Sequence, residues 1–269
     1  MPATLTFCIL GCGASPGVPR IGGDWGQCDP ANPKNRRRRT ALLVTRDDGH
    51  GNLTRVLVDT GPDLREQMID AGVDWVDGVL FTHAHADHLH GIDDLRGFVL
   101  NRRRRVDVYM DAVTSIRVLD AFRYCFQMPP GSNYPPIVTE HRIAVDEPVT
   151  IEGAGGAITA MPFRQIHGDI DSLGFRFGAV AYSPDVSAIP DEALPHLRGL
   201  DVWILDALRW KPHGSHFSVD EAVTWITRMA PSRAVLTHMH TDLDYRVLKT
   251  LLPEHVEPAY DGMSFSVPA

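Results

Sequence analysis

An α/β fold is what this sequence predicts, and three observations carry it. Short runs rich in Val, Leu and Ile, bounded by Gly, Asn and Asp, recur along the chain as buried strands do. Stretches with helical apolar spacing lie between some of them and end at Gly or Pro. Several of the apolar runs close on a histidine or an aspartate, which is where a rigid scaffold presents a ligand. With 269 residues, 43% of them apolar, the chain can bury a large core, and 1–269 reads as a single domain.

Taken in order, 5–10, 41–45 and 55–59 read as strands, so the N-terminal third is mostly sheet. Pro62 pre-sets the first turn of a helix that reaches about residue 71, where Gly72 stops it. A strand over 79–81 then runs directly into Thr82-His83-Ala84-His85-Ala86-Asp87-His88. Residues 106–110 form the next strand and 112–126 a helix, ended by Met128-Pro129-Pro130-Gly131. The Pro, Gly, Ser and Asn of 127–141 predict a loop long enough to lie over a site. Strands follow at 148–151, 157–162, 173–177, 180–182, 202–206 and 234–237. An amphipathic helix over 218–229 separates the last two, with Ser218, Asp220 and Glu221 suited to its N-terminus.

Composition narrows the functional classes. A net charge of -8 and a pI near 5.9 weigh against a protein devoted to non-specific nucleic-acid binding. Two arginine runs, Arg36 to Arg39 and Arg102 to Arg105, read by default as solvated loops. The first ten residues lack a basic segment followed by a long apolar one, and no window approaches 18 uninterrupted apolar residues, so a cytoplasmic protein is expected. Cys8, Cys12, Cys28 and Cys125 are scattered, as reduced thiols are.

The densest chemistry lies in the segment after the strand 79–81, where His83, His85, Asp87 and His88 offer four metal ligands within six residues. Three more strands end in a comparable residue: His167, Asp185 in Tyr182-Ser183-Pro184-Asp185, and His238 in Val235-Leu236-Thr237-His238. A lone histidine at such a position is more often a hydrogen-bonded core residue. Four such strand ends in one chain favour metal.

On these residues the chain resembles the metallo-β-lactamase superfamily from Leu5 to Val267. That resemblance implies an αββα sandwich, two mixed sheets flanked by helices, with two divalent metal ions, Zn or Mn, at one edge. It places His83, His85 and His167 on one ion and Asp87, His88 and His238 on the other, with Asp185 bridging and Asp87 also counted as catalytic. Asp59, in Val58-Asp59-Thr60-Gly61, would orient the histidine loop from behind. The stretch Gly11 to Pro19, Cys28-Asp29-Pro30, Asn35 to Thr40, Gly91-Ile92-Asp93-Asp94-Leu95-Arg96 and Tyr260-Asp261-Gly262-Met263 narrow the likeness to the phosphoribosyl 1,2-cyclic phosphate phosphodiesterases of phosphonate metabolism.

The implied reaction is hydrolysis of a small cyclic phosphodiester, 5-phosphoribosyl 1,2-cyclic phosphate to ribose 1,5-bisphosphate, with His216 as the acid/base residue. The loop 127–141 and the arginines at 102–105 would shape a compact pocket for the sugar phosphate. Two departures stand out. Members of this group often hold a structural zinc on closely spaced N-terminal cysteines, where this chain keeps only Cys28, so that zinc is expected to be absent. His240 competes with His238 as the last ligand, and His238 is taken.

The expected partner is a small-molecule phosphodiester. A second copy of the chain is admitted, whereas membrane and nucleic acid are not expected. The competing readings are a tRNA 3′-processing endonuclease of the ribonuclease Z type, another cyclic nucleotide phosphodiesterase and, from a different class, a non-catalytic metabolite-binding or cofactor-biosynthesis protein. A β-lactam hydrolase ranks below these.

Overall fold

The structure is a computed structural model that describes residues 2–269. Its first sheet contains β1 (Thr4–Gly11), β2 (Ala41–Asp47), β3 (Leu53–Val58), β4 (Gly78–Leu80), β5 (Val106–Met110) and β6 (Val138–Arg142). Its second contains β7 (Val149–Ile151), β8 (Ile158–His167), β9 (Ile170–Phe177), β10 (Val180–Ser183), β11 (Val202–Asp206), β12 (Arg233–Thr237) and β13 (Val256–Pro258). The last strand, β14 (Met263–Pro268), returns to the first sheet, giving the orders β14-β1-β2-β3-β4-β5-β6 and β13-β12-β11-β10-β9-β8-β7.

Side-chain alternation decides which face meets which layer. In β2 and β3, Leu42 opposite Val58 and Val44 opposite Val56 point into the core shared with the second sheet. Leu43 opposite Leu57 points the other way, onto the helices. A slip of one residue would exchange the two sets, so the hydrophobic pattern fixes the register. Across the sandwich Phe7 meets Phe177 edge to face at 5.9 Å. Strands β10 to β13 are parallel, and β11 is buried along its whole length, as expected of a strand covered on both faces.

Helices close both outer faces. α1 (Leu64–Asp70), α2 (Ala86–Leu89), α3 (Arg96–Arg102) and α4 (Ala112–Phe126) contribute Leu64, Met68, Leu89, Phe98 and Val118 to the core on the first sheet. α5 (Val219–Met229) and α6 (Tyr245–Leu251) bring Ala222, Ile226 and Leu248 to the second. The helix–sheet–sheet–helix layering is therefore the one expected. α5 opens with a capping box, in which Ser218 Oγ accepts from Glu221 N and Glu221 Oε2 accepts from Ser218 N. α1 begins at Leu64 rather than Pro62, and the carboxylate of Asp63 before it meets the backbone and guanidinium of Arg39 and makes no capping hydrogen bond.

One expectation is corrected. Residues 138–142 are a strand, paired in parallel with β5. β3 to β6 all run the same way, so their starting ends share one edge of the sheet, and the segments following β3 and β4 lie at the other. The loop before β6 and the arginines before β5 therefore occupy the edge away from His83 to His88. There Arg102 pairs with Asp74 at 2.8 Å and Arg104 stacks 4.3 Å over Trp75. Neither the loop 127–141 nor Arg102 to Arg105 covers the histidine cluster. α3, α6, β13 and β14 were not anticipated either, because each is short and all but the buried β13 are half exposed or more. Among the described residues no helix is long and apolar enough to cross a membrane.

Candidate metal centre

Both sheets deliver polar side chains at one edge. Asp59 directly follows β3, and its φ of 68° lies in the left-handed region that non-glycine residues seldom occupy. That turn aims the carboxylate inward: Oδ1 accepts from Thr82 N at 2.8 Å, and Oδ2 accepts from Thr82 Oγ1 at 2.8 Å and from His88 Nδ1 at 2.7 Å. The backbone after Asp59 interlocks with the histidine loop through Thr60 N to His88 O at 2.7 Å and Gly91 N to Thr60 O at 2.8 Å. A Cβ on Gly61 would lie 2.2 Å from Asp87 O, and one on Gly91 would lie 2.1 Å from Gly61 O. Only glycine permits this approach.

The structure brings all seven of the expected ligand residues together. His83, His85 and His167 form one group and Asp87, His88 and His238 another, with one ligand atom from each residue within 4.8 Å of the others in its group. Asp185, just past the end of β10, lies between the two. Its Oδ1 is 3.0 Å from His88 Nε2 and 3.0 Å from His238 Nδ1, while its Oδ2 is 3.6 Å from His167 Nε2 and 3.9 Å from His83 Nε2. His238 also has a positive φ, 57°.

Most of these rings are steered from behind. His83 Nδ1 lies 2.9 Å from Thr82 Oγ1, and His167 Nδ1 donates to Ser215 O at 2.6 Å. Ser15 Oγ donates to Asp87 Oδ2 at 2.5 Å, whereas Thr40 Oγ1 lies 3.3 Å from His238 Nδ1, the nitrogen that itself faces Asp185. His83 Nε2 is left buried with no hydrogen-bond partner, and His88 Nε2 and Asp185 Oδ1 face each other at 3.0 Å without hydrogen-bond geometry. Buried polar atoms in that condition cost about 1–3 kcal/mol each. Three of them converging on a cluster of imidazoles and carboxylates fit cations well.

The electrostatics point the same way. Burial drives the His83 imidazole well below its usual range and brings His167 down to about 4, so both are neutral and able to ligate at neutral pH. His88 moves the other way: burial alone would lower it, but Asp185, Asp87 and Asp59 hold it well above the ordinary value. Burial opposes ionisation of Asp185, yet His238 and His88 keep its carboxyl well below the normal range.

His216 stands beside this cluster. Its ring stacks on His238 at 4.6 Å and meets His167 edge to face at 4.6 Å. Its Nδ1 donates to Asp206 Oδ2 at 2.8 Å, and the same oxygen accepts from Val186 N at 3.0 Å. His240 lies outside the cluster, with Nδ1 3.2 Å from Asp242. Cys28 Sγ contacts Thr241 O and Leu243 O at 3.4 Å each, with the buried Arg37 guanidinium 3.8 Å away.

Sequence reasoning gave no role to Asp206, Ser15 or Thr40. Asp206 carries the signal used for the other residues, an apolar run that ends in a carboxylate. Ser15 and Thr40 carry none, because their partners are 72 and 198 residues away.

The signature of the beta-lactamase superfamily domain matches residues 54–239. The chain is 33% identical over 260 residues, 95% of its length and 50% of the relative's, to an octanoyltransferase of Porphyromonas gingivalis. It is 33% identical over 151 residues, 55% of its length and 47% of the relative's, to a ribonuclease Z of Bradyrhizobium diazoefficiens. The chain thus spans about half the length of these curated relatives. Among solved structures, a diphosphatase from the PhnP family superposes with a TM-score of 0.88 at 34% identity, covering 99% of this chain and 98% of that one. Three differently named activities leave the substrate to be argued from the site.

Proposed function

The chain belongs to the beta-lactamase superfamily, and from that premise we propose that it is a dinuclear metal-dependent phosphodiesterase acting on a small cyclic phosphodiester. The proposed reaction converts 5-phosphoribosyl 1,2-cyclic phosphate to ribose 1,5-bisphosphate. The observation that carries this reading is Asp185, whose two carboxylate oxygens face two separate groups of three ligands, with the Asp206–His216 pair alongside.

His83, His85 and His167 would hold one ion, Asp87, His88 and His238 the other, and Asp185 both. Ions bound there supply Lewis acidity toward water and toward the non-bridging phosphate oxygens of a diester. Imidazole suits Zn, and the two carboxylates leave Mn open. The chain's own contribution begins with position, since the groups behind the ligands pin their rings before substrate arrives.

A departing alkoxide requires a proton. His216 has given Nδ1 to Asp206, which fixes the ring and leaves Nε2 as the nitrogen able to deliver one. Such general acid catalysis contributes about 10²–10⁴ in rate. A second reading is favoured by the PhnP-family diphosphatase at 34% identity. A phosphoanhydride presents the same non-bridging oxygens with a leaving group that needs less protonation.

Relative kcat/KM values separate the readings, because their ratio measures differential transition-state binding. The cyclic sugar phosphate is expected to exceed 2′,3′-cyclic nucleotides, a dinucleoside diphosphate and a precursor tRNA. A higher value for the diphosphate would install the diphosphatase reading, and cleavage of precursor tRNA at its 3′ end the endonuclease reading. Metal-loaded protein inert toward all of them would indicate a metabolite-binding protein.

A further inference from the structure

The segment between β11 and α5 contains more than the acid histidine. Its backbone is clamped at both ends: Leu208 N donates to Phe217 O at 2.9 Å, Val219 N to Arg209 O at 3.0 Å, and His240 N to Leu208 O at 2.9 Å. Between those anchors Arg209 folds its guanidinium back onto its own loop, donating to Lys211 O at 3.1 Å and Pro212 O at 2.9 Å. Carbonyls fix the geometry of a guanidinium without cancelling its charge. Among the described residues Arg209 has no carboxylate partner. The nearby acids are engaged elsewhere, Asp206 by His216, Asp185 by the ligand nitrogens and Asp242 by His240.

His213 completes the arrangement. Ser215 N donates to its Nδ1 at 3.3 Å, which makes Nδ1 an acceptor and puts the ring proton on Nε2. The ring is exposed and lies 5.4 Å from that of His216. The Pro212 carbonyl that accepts from Arg209 Nη2 at 2.9 Å belongs to the peptide joining Pro212 to His213, so the guanidinium is held against the backbone of His213. A fixed guanidinium without a carboxylate partner and an exposed imidazole N–H donor thus lie on the same loop as His216.

We infer that Arg209 and His213 form a second anion subsite, which binds a phosphate monoester carried on the leaving-group side of the substrate. The inference rests on the phosphodiesterase reading and deepens it by naming the residues that hold the terminal 5-phosphate of the proposed substrate. Arg supplies planar, charge-assisted recognition, and its loop-held geometry reduces the entropy lost on binding.

The test uses the metal-loaded full chain and two substrates that differ only in a terminal phosphate, adenosine 2′,3′-cyclic phosphate and its 5′-phosphorylated form. The wild-type chain is expected to favour the 5′-phosphorylated compound by roughly 10-fold or more in kcat/KM, with the difference in KM. In Arg209→Ala the ratio falls toward one, and in His213→Ala it falls part of the way. In Arg102→Ala, at the far edge of the sheet, the ratio keeps its wild-type value. A wild-type ratio near one, or an unchanged ratio in Arg209→Ala, overturns the subsite. Calorimetric binding of adenosine 2′,5′-bisphosphate against adenosine 2′-phosphate reads the same preference without turnover, and again Arg209→Ala should abolish it. Failure of the phosphodiesterase reading would look different: bis-p-nitrophenyl phosphate and both cyclic nucleotides would resist hydrolysis while the bisphosphate still bound in preference.

Discussion

Asp59 Oδ2 accepts from His88 Nδ1 at 2.7 Å with both side chains fully buried, so one carboxylate on the end of β3 sets the direction in which the last histidine of the Thr82–His88 segment presents Nε2. The same carboxylate holds Thr82 by backbone and hydroxyl, and Thr82 Oγ1 is 2.9 Å from His83 Nδ1. Asp59 therefore governs one ring in each ligand group.

Asp59→Asn is expected to weaken metal binding by about 10- to 100-fold, the usual cost of losing a partner that orients a ligand. Chelator competition measures it. Unchanged affinity for both ions would show that packing alone aims the rings.

Asp185→Asn is expected to cost metal in both groups at once, because its two oxygens face different groups. Elemental analysis after reconstitution with Zn or Mn should fall from close to two equivalents to below one. Loss of a single ion would make Asp185 a terminal ligand to one group.

His216→Ala should leave metal content intact and lower turnover of alkyl phosphodiesters by roughly 10² or more, with a much smaller loss on bis-p-nitrophenyl phosphate, whose leaving group needs little protonation. Asp206→Asn should follow the same pattern more weakly, since it acts through His216. Equal losses on both substrates would remove His216 from proton transfer.

Asp261 accepts from Cys12 N at 3.1 Å and from Arg38 N at 2.8 Å, and burial pushes its carboxyl up to about 6. A carboxyl raised on folding binds its proton more tightly in the folded chain. Its contribution to stability is complete below the unfolded value near 4 and is lost as pH rises through about 6. The change amounts to at most about 3 kcal/mol. Thermal unfolding of metal-free protein should therefore show Asp261→Asn gaining on the wild type as pH rises from about 4 to about 7. A constant difference in Tm across that range would mean that Asp261 titrates normally.

What the sequence determined by itself was the strand periodicity and the ligands that lie at the ends of apolar runs, and the layering came with the family resemblance those ligands carry. Those signals are local: alternation over four to eight residues reports burial, and a histidine or aspartate at a strand's end reports the edge from which it projects. His83, His85, Asp87 and His88 were legible because one turn of chain holds them all. The tertiary structure alone decided matters that depend on strand direction and on distant partners. Parallel pairing of β3 to β6 sent Arg102 to Arg105 and the 127–137 loop to the edge away from the ligands, a consequence no composition reveals. His238 lies within the cluster and His240 outside it because the chain turns through a positive φ at His238, a conformation set by the contacts around it. Asp206 meets His216, and Ser15 meets Asp87, through hydrogen bonds that exist only once two sheets have closed on one core.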